Sequence, residues 1–411
     1  MPDRRHNLAL TFILMTVGLD AIGIGLIFPV IPDLMIAVTH DTLANAALWG
    51  GIITSVFAVM QFLCGPIIGN LSDHFGRRPV LLISLAFMVV DYVVMALAQT
   101  VWLLLITRIV AGITAATHST ASAYVADIST QEERAKRFGL IGAAFGLGFV
   151  AGPLIGGVLA NIDPRAPFWA AAALAAANLV FGFFFLPESL RPENRRPFSL
   201  ARANPLSSFA AIRRLPGLKL LLTVFFIYAL TFNVWPAIWS YYGKEAFGWN
   251  AQWIGISLAI FGICMALAQA TLVGPITKRL GDRRAALLGM GFEVTTYTFF
   301  AFVTSGFWAL WASSVSSLGG ITGPALQSLM TSKTPADQQG ELQGIITSLN
   351  ALATIVAPVT MTAVFGYFTS PTAPLYLPGA PFLLSAVIMV AAVVLFVAGA
   401  RAKPAAQPQA F

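Results

Sequence analysis

Ionisable side chains stand inside stretches that are otherwise apolar: Asp20, Asp91, Arg108 and Glu293, with His118 in the same stretch as Arg108. A charge near the centre of a bilayer costs about 2.5–3.5 kcal/mol on insertion scales, so each such group is expected to face protein or water and to serve a purpose. A carboxyl group's proton affinity follows its burial and the charges around it, so an enclosed acid with moving neighbours can load a proton on one side of a barrier and release it on the other. These five residues are therefore candidates for proton coupling. Asp20 precedes Gly23, Gly25, Pro29 and Pro32, which can bend or break a helix. Asp20 with Arg108 is the expected coupling pair, and a static ion pair that only fixes register is the competing reading. Asp91 has the Tyr92 hydroxyl beside it. His118 either titrates near neutral pH or simply donates a hydrogen bond, and Glu293 either carries a proton or lines a cavity.

A second constellation is polar and punctuated by glycine: Gly69-Asn70-Leu71-Ser72-Asp73-His74-Phe75-Gly76-Arg77-Arg78-Pro79, set between two long apolar runs. Gly69 admits a close backbone, Asp73 can face a helix N-terminus, Gly76 permits a sharp reversal and Pro79 suits the start of a helix. Arg77 and Arg78 can pair with acids or lipid phosphates, and Asp127 is a candidate partner for Arg77. This clasp reads as a short loop joining two membrane helices. Further on, Gly139, Gly148, Gly152, Pro153, Gly156 and Gly157 form a stripe in which positions 148, 152 and 156 repeat at helical spacing, leaving a groove for a partner helix. Gln61, His118, Asn233, Gln327 and Asn350 can line a substrate cavity or satisfy backbone groups in bent helices. Trp235, Trp239, Tyr241 and Tyr242 fit an interfacial belt or a ligand site.

The elements that must position these residues are membrane helices. Of the 411 residues 57% are hydrophobic and 10% charged, with mean hydropathy +0.80, which excludes an ordinary soluble domain. Spans are expected near 8–32, 46–68, 79–98, 102–126, 138–160, 168–186, 218–242, 253–273, 285–304, 307–330, 340–365 and 381–400. The net charge of +7 could suggest nucleic acid, but all Lys and Arg except Arg108, Arg165 and Lys244 fall in the terminal segments or alternate loops. That is positive-inside topology with both termini cytoplasmic, in an inner membrane, and it favours lipid over nucleic acid as the partner. Cys64 and Cys264 read as buried free thiols with no metal spacing. The domains expected are 1–186, a basic linker 187–217 and 218–411. Gly69, Gly76, Gly139 and Pro153 recur 205 residues on as Gly274, Gly281, Gly344 and Pro358, which indicates a duplication. In the second copy Lys278 and Asp282 replace Asp73 and Arg77, so it keeps the turn and inverts two of its charges. No nucleotide loop, metal-spaced Cys/His set or nucleophile elbow points to an enzyme.

The pattern G-x-L-S-D-x-F-G-R-R-P closely resembles the loop between the second and third helices of major facilitator superfamily transporters. The resemblance implies an all-α polytopic fold of 12 transmembrane helices in two pseudo-symmetric six-helix bundles, working by alternating access around a midplane site. The glycine stripe resembles the signature of that superfamily's proton-coupled exporters. Arg108-x3-Gly112-x3-Ala116 resembles its fourth-helix motif, whose arginine is linked to proton transfer. Leu19 to Pro32, the clasp, Arg108 to Asp127, Phe247 to Asn250, Gly323 to Gln327 and Gln338 to Gly344 resemble the tetracycline/proton antiporters. Three positions depart from them: Met265 stands for a histidine, Glu293 for an aspartate and His118 for a glycine.

The expectation is thus a monomeric antiporter exporting a small amphipathic, tetracycline-like compound, with the magnesium chelate a candidate form and the proton gradient as energy source in place of a cofactor. A different drug or a metabolite is the alternative substrate. A proton symporter or facilitator on the same fold is the rival mechanism, and a non-transporting receptor the more distant one, since neither tail is long enough for a signalling module. Closure of the cytoplasmic side is expected to bring Asp73 to the start of the eleventh helix near Gln338 and Arg77 to Asp127.

Overall fold

A computed structural model describes residues 2–199, 204, 205, 212 and 215–399, and no strand occurs among them. Among the described residues eleven helical segments are long and apolar enough to cross a membrane: α1 (Ala9–Thr39), α2 (Leu43–Phe75), α3 (Arg77–Leu97), α4 (Val101–Ile128), α5 (Lys136–Leu159), α6 (Ala166–Phe185), α7 (Lys219–Phe247), α8 (Ala251–Thr271), α9 (Asp282–Phe302), α11 (Gln339–Thr369) and α12 (Ala380–Gly399). The span expected at 307–330, α10, is instead two short helices, Gly306–Ser316 and Thr322–Ser332, joined by a 3-10 segment Ser317–Ile321. Its own residues cause the break. Ser313, Ser316 and Ser317 donate their hydroxyls to the carbonyls three residues back, at 2.7, 2.6 and 2.7 Å, and Gly319 and Gly320 follow.

Other interruptions also have local causes. The first span turns through a 3-10 step at Phe28–Val30, where Pro29 and Pro32 remove amide donors. The seventh breaks at Asn233, three residues ahead of Pro236, and the Asn233 amide donates to the Ala229 carbonyl at 2.8 Å. After α7, Gly248 takes the left-handed conformation (φ 64°), and Asn250 caps α8 by accepting from the Trp253 amide at 3.0 Å. The two clasp copies share one turn: Gly76 and Gly281 have φ of 109° and 74°, a region open to glycine.

Packing repeats across the chain. The pairs α1–α5, α1–α6, α2–α4 and α3–α6 of the first half recur as α7–α11, α7–α12, α8–α10 and α9–α12 in the second, and the halves meet through α2–α11 and α5–α8. Trp235, Trp239, Tyr241 and Tyr242 do not form an interfacial belt. Trp239, Tyr241 and Tyr242 are buried, and Trp235 and Trp239 pack in an aromatic core with Phe300 and Phe382. Cys64 and Cys264 are free and half-buried rather than fully buried. The expected linker is described only in part, because Arg202, Arg213 and Arg214 lie outside the described residues, as does the tail from Ala400 onward.

The glycines report how the halves sit. At the face where α1, α3 and α5 begin, which carries the basic loops, a methyl at Gly65, Gly69, Gly139, Gly146, Gly274 or Gly340 would meet no atom of the described residues within 4 Å. At the opposite face a methyl on Gly157 would come within 2.7 Å of the Ala251 carbonyl, and one on Gly366 within 2.9 Å of the Ala44 carbonyl. The two seams are closed at one end and splayed at the basic end.

Candidate functional site

Arg108, on the first helical piece of α4, reaches into the first bundle and binds the Asp91 carboxylate of α3. Its guanidinium also lies 3.0 Å from the Met95 sulfur and 5.6 Å from the Phe57 ring centroid. Among the described residues, no ion pair joins Arg108 to Asp20, so the expected Asp20–Arg108 pair is replaced by Asp91–Arg108. The register of three helices explains this. Gly112 rests on the Phe57 carbonyl of α2, which turns Arg108 towards α3, whereas Asp20 lies half-buried on α1 near Tyr92. The pair is incomplete, since Asp91 Oδ1 and Arg108 Nε are buried without a hydrogen-bond partner among the described residues. An enclosed ion pair with spare valences can exchange partners when the helices shift.

The stripe on α5 accommodates α1. A methyl on Gly148 would come within 2.8 Å of the Ala21 β-carbon, one on Gly152 within 2.7 Å of Gly25 Cα, and one on Gly156 within 2.8 Å of Leu26 Cα. Helix α1 is therefore pressed against α5 along the stretch that carries Asp20. Gly157 looks to the other side, where it meets Ala251 of α8, and Pro153 serves both, its ring against Gly25 of α1 and its carbonyl against Gly255 of α8. Gly139 has no neighbour.

At the basic face Arg77 joins the clasp to α4: its guanidinium is 2.6 Å from Asp73 and 3.0 Å from Asp127, and it donates to the Ser72 hydroxyl at 3.2 Å. Asp73 thus pairs within its own turn and not at the start of α11, the position expected for it on closure, because the halves are apart at this end; the Arg77–Asp127 contact, also expected on closure, is already made inside the first half while this end is open. Gly69 meets no other backbone here. Arg78 donates to the Phe183 carbonyl at 2.6 Å and lies over the Phe183 ring. Sequence reasoning missed Glu188, which accepts from the amides of Arg77 (2.8 Å), Arg78 (3.2 Å) and Leu190 (3.0 Å). Its signal was the start of α3, where Gly76 offers no capping side chain. The linker is docked on the same corner, with Asn70 donating to the Ser199 carbonyl at 2.6 Å and the Arg196 amide to the Asp73 carbonyl at 3.1 Å.

Between α2 and α11 lies a cleft of about 670 Å³ lined by Gln61, Phe62, Gln343, Thr347, Ser348 and Thr354, with Asn204 and Pro205 of the linker at its edge. Its walls carry amides, hydroxyls and apolar groups, with no charged side chain among the described residues. Of the candidate cavity residues, Gln61 lines it, and Gln327 touches its wall by donating to Gln343 at 3.1 Å. Asn233 satisfies its own helix. His118 is exposed and packs edge-on to Phe145, with centroids 5.9 Å apart, and Asn350 is exposed outside the cleft lining. Glu293 is enclosed in the second half, 4% exposed, beside Tyr228 and Tyr297, and neither carboxylate oxygen has a hydrogen-bond partner among the described residues. The break in α10 makes its room, because a methyl at Gly319 would come within 2.6 Å of Glu293 Cγ. Met265 lies against Gly320 in the same break. Among the described residues no cluster of His, Cys, Asp or Glu is suited to hold a metal ion.

Comparison with known proteins agrees with this fold. A sequence profile of the Major Facilitator Superfamily matches residues 13–358 and 220–410. The chain is 46% identical over 362 residues to the tetracycline resistance protein, class C, of Escherichia coli, covering 88% of this chain and 90% of that protein. It is 40% identical to the class G protein of Vibrio anguillarum, over 86% and 89% of the two chains. Among solved structures, the human organic anion transporter MFSD10 (TETRAN) superposes with a TM-score of 0.69 at 26% identity, covering 95% of this chain and 99% of that one. The nucleoside transporter NupG does so with a TM-score of 0.76 at 14% identity, over 96% and 100%, a likeness of fold alone.

Proposed function

Since the chain belongs to the Major Facilitator Superfamily and is a multi-pass membrane transporter rather than an enzyme, we propose that it exports a small amphipathic compound in exchange for protons, with tetracycline or its magnesium chelate the leading substrate. The observation that carries the proton step is the Asp91–Arg108 pair, enclosed in the first bundle with one unpartnered polar atom on each side chain. A proton taken by Asp91 cancels its attraction to Arg108 and frees the guanidinium for another partner, so proton binding and helix position become linked. Asp20, His118 and Glu293 are the further groups along which a proton can pass.

In this reading the basic face is cytoplasmic, with both termini on that side of an inner membrane. The substrate enters the neutral cleft between α2 and α11, whose hydroxyls and amides suit a polyhydroxylated ring system, and the monomer is the working unit. Rocking of the halves closes the cleft and opens the other face, with Asp73 passing from Arg77 to the start of α11 to fasten the cytoplasmic side, while Gly69, Gly76, Arg77, Arg78 and Asp127 shape and hold the turn that presents it. The similarity to the tetracycline resistance proteins supports the substrate class.

The test is transport in liposomes that hold the purified protein and a trapped pH indicator. Addition of tetracycline with magnesium is expected to make the lumen more alkaline as substrate enters, and Asp91→Asn to reduce that signal to the level of empty liposomes. Acidification of the lumen would instead mark a symporter, and substrate uptake with no proton movement a facilitator.

A further inference from the structure

Lys244 is one of the basic residues that stand against the charge topology of the chain, and the others already have structural tasks. Arg165 donates to the Ala96 and Ala98 carbonyls at 2.9 and 3.0 Å and so closes the end of α3, and Arg108 holds Asp91. Lys244, near the end of α7 in the second half, forms an ion pair with Asp33, near the end of α1 in the first. Its neighbour Glu245 does not compete for it, because Glu245 accepts a hydrogen bond from the Tyr376 hydroxyl at 2.7 Å. Two other polar links join the halves at the same level: Ser240 donates to the Phe28 carbonyl at 2.8 Å, and Asn161 donates to Gln252 at 2.9 Å. All three lie at the closed end of the seams, where Gly50 abuts Tyr241, Gly51 abuts Thr362 and Gly157 abuts Ala251.

We propose that Asp33 and Lys244 form the latch of the outer face, an ion pair that ties the two halves together opposite the cleft and must part before that face can open. The inference rests on the reading that the halves rock. The pair is about one-third exposed on each side, with side-chain exposures of 36% for Asp33 and 33% for Lys244. Such a pair is worth little as a stability element, but that is enough to set the balance between two states of similar free energy. A partner exchange also serves a cycle better than an apolar contact here, since both groups can be hydrated when they separate. The contact of Asp73 with the start of α11 proposed for the closed basic face and this pair would then alternate, one made while the other is parted.

The experiment uses the full chain in intact cells, with Cys64 and Cys264 replaced by serine and a single reporter, Ser55→Cys, in the α2 seam one turn inside Gly51. Ser55 is 8% exposed, and its hydroxyl has no hydrogen-bond partner among the described residues. A membrane-impermeant maleimide reaches it from outside only when the outer face opens. Asp33→Asn and Lys244→Met are each expected to speed labelling roughly threefold, the order of one partly exposed ion pair. The exchange Asp33→Lys with Lys244→Asp should restore the slow rate. Labelling at the unmodified rate in both single variants, or labelling as fast in the exchange as in the singles, overturns the latch. A reporter at Gly139, on the basic face, should stay unlabelled in the same cells, which checks the orientation separately.

A cross-link supplies a second measurement that does not depend on labelling rates. In the double variant Asp33→Cys/Lys244→Cys, a short bis-thiosulfonate is expected to abolish transport until reductant is added, and full transport after complete cross-linking refutes the proposal. Neither labelling arm requires a known substrate, so failure to move tetracycline would overturn the substrate assignment and leave the latch result standing.

Discussion

Glu188 does for the clasp what no residue of the clasp itself can do. One carboxylate accepts three backbone amides at the start of α3 and just beyond its own position, and it occupies the space that a side chain on Gly76 would need. Hydrogen bonds to a charged group contribute about 1.5–3 kcal/mol, and a carboxylate at a helix N-terminus adds a favourable dipole interaction. Glu188→Ala is therefore expected to destabilise the protein by about 2 kcal/mol, read as a lower melting temperature in detergent. Glu188→Gln, which keeps an acceptor, should lose about half as much, and equal melting of Ala, Gln and parent would refute the assignment. The acids inside the spans, Asp20, Asp91 and Glu293, were legible as types, because few reasons place a carboxylate in an apolar run. Their partners were not legible. Arg108 had two acids at comparable depth, and only the approach of Gly112 to the Phe57 carbonyl, a contact between α4 and α2, decides between them.

Helices were legible wherever apolar length alone defines them, and illegible where side chains compete for the backbone. Eleven spans follow from hydropathy and positive-inside charge. The tenth was legible as a span but not as a broken one, because its serines bond their own carbonyls and its paired glycines leave the turn loosely specified. That local cost makes room for Glu293 and Met265 at Gly319 and Gly320. The stripe on α5 is the opposite case, since helical spacing announced a close partner but not which helix it would be. With Leu26 backbone against Gly156, Gly156→Val must push α1 away from α5. Overpacking of this kind costs about 1–3 kcal/mol, so the variant is expected to melt several degrees lower and to extract less cleanly from membranes. Unchanged melting would mean that α1 does not sit in that groove.

Across the whole molecule, the duplication seen as a 205-residue offset returns as repeated helix pairings and as one turn shared by Gly76 and Gly281. The opening between the halves was not legible, because one sequence must serve every state of the proposed cycle. Helical register shows where the seam would continue on closure: Gly157, Pro153 and Val150 touch α8, and Gly146 and Gly139 follow on the same line of α5 with nothing opposite them. Gly146→Leu should accordingly leave the melting temperature unchanged and slow transport several-fold by obstructing closure. Transport at the parent rate would show that this line never meets α8. The splay has one more consequence. A molecule fastened at one face and parted at the other is a wedge, and it takes up more area in the leaflet beneath its basic loops than in the facing one. If the halves rock as proposed, lateral pressure in that leaflet works directly against the open state, and the shape of the surrounding lipids becomes a term in the transport equilibrium with no lipid-binding site required.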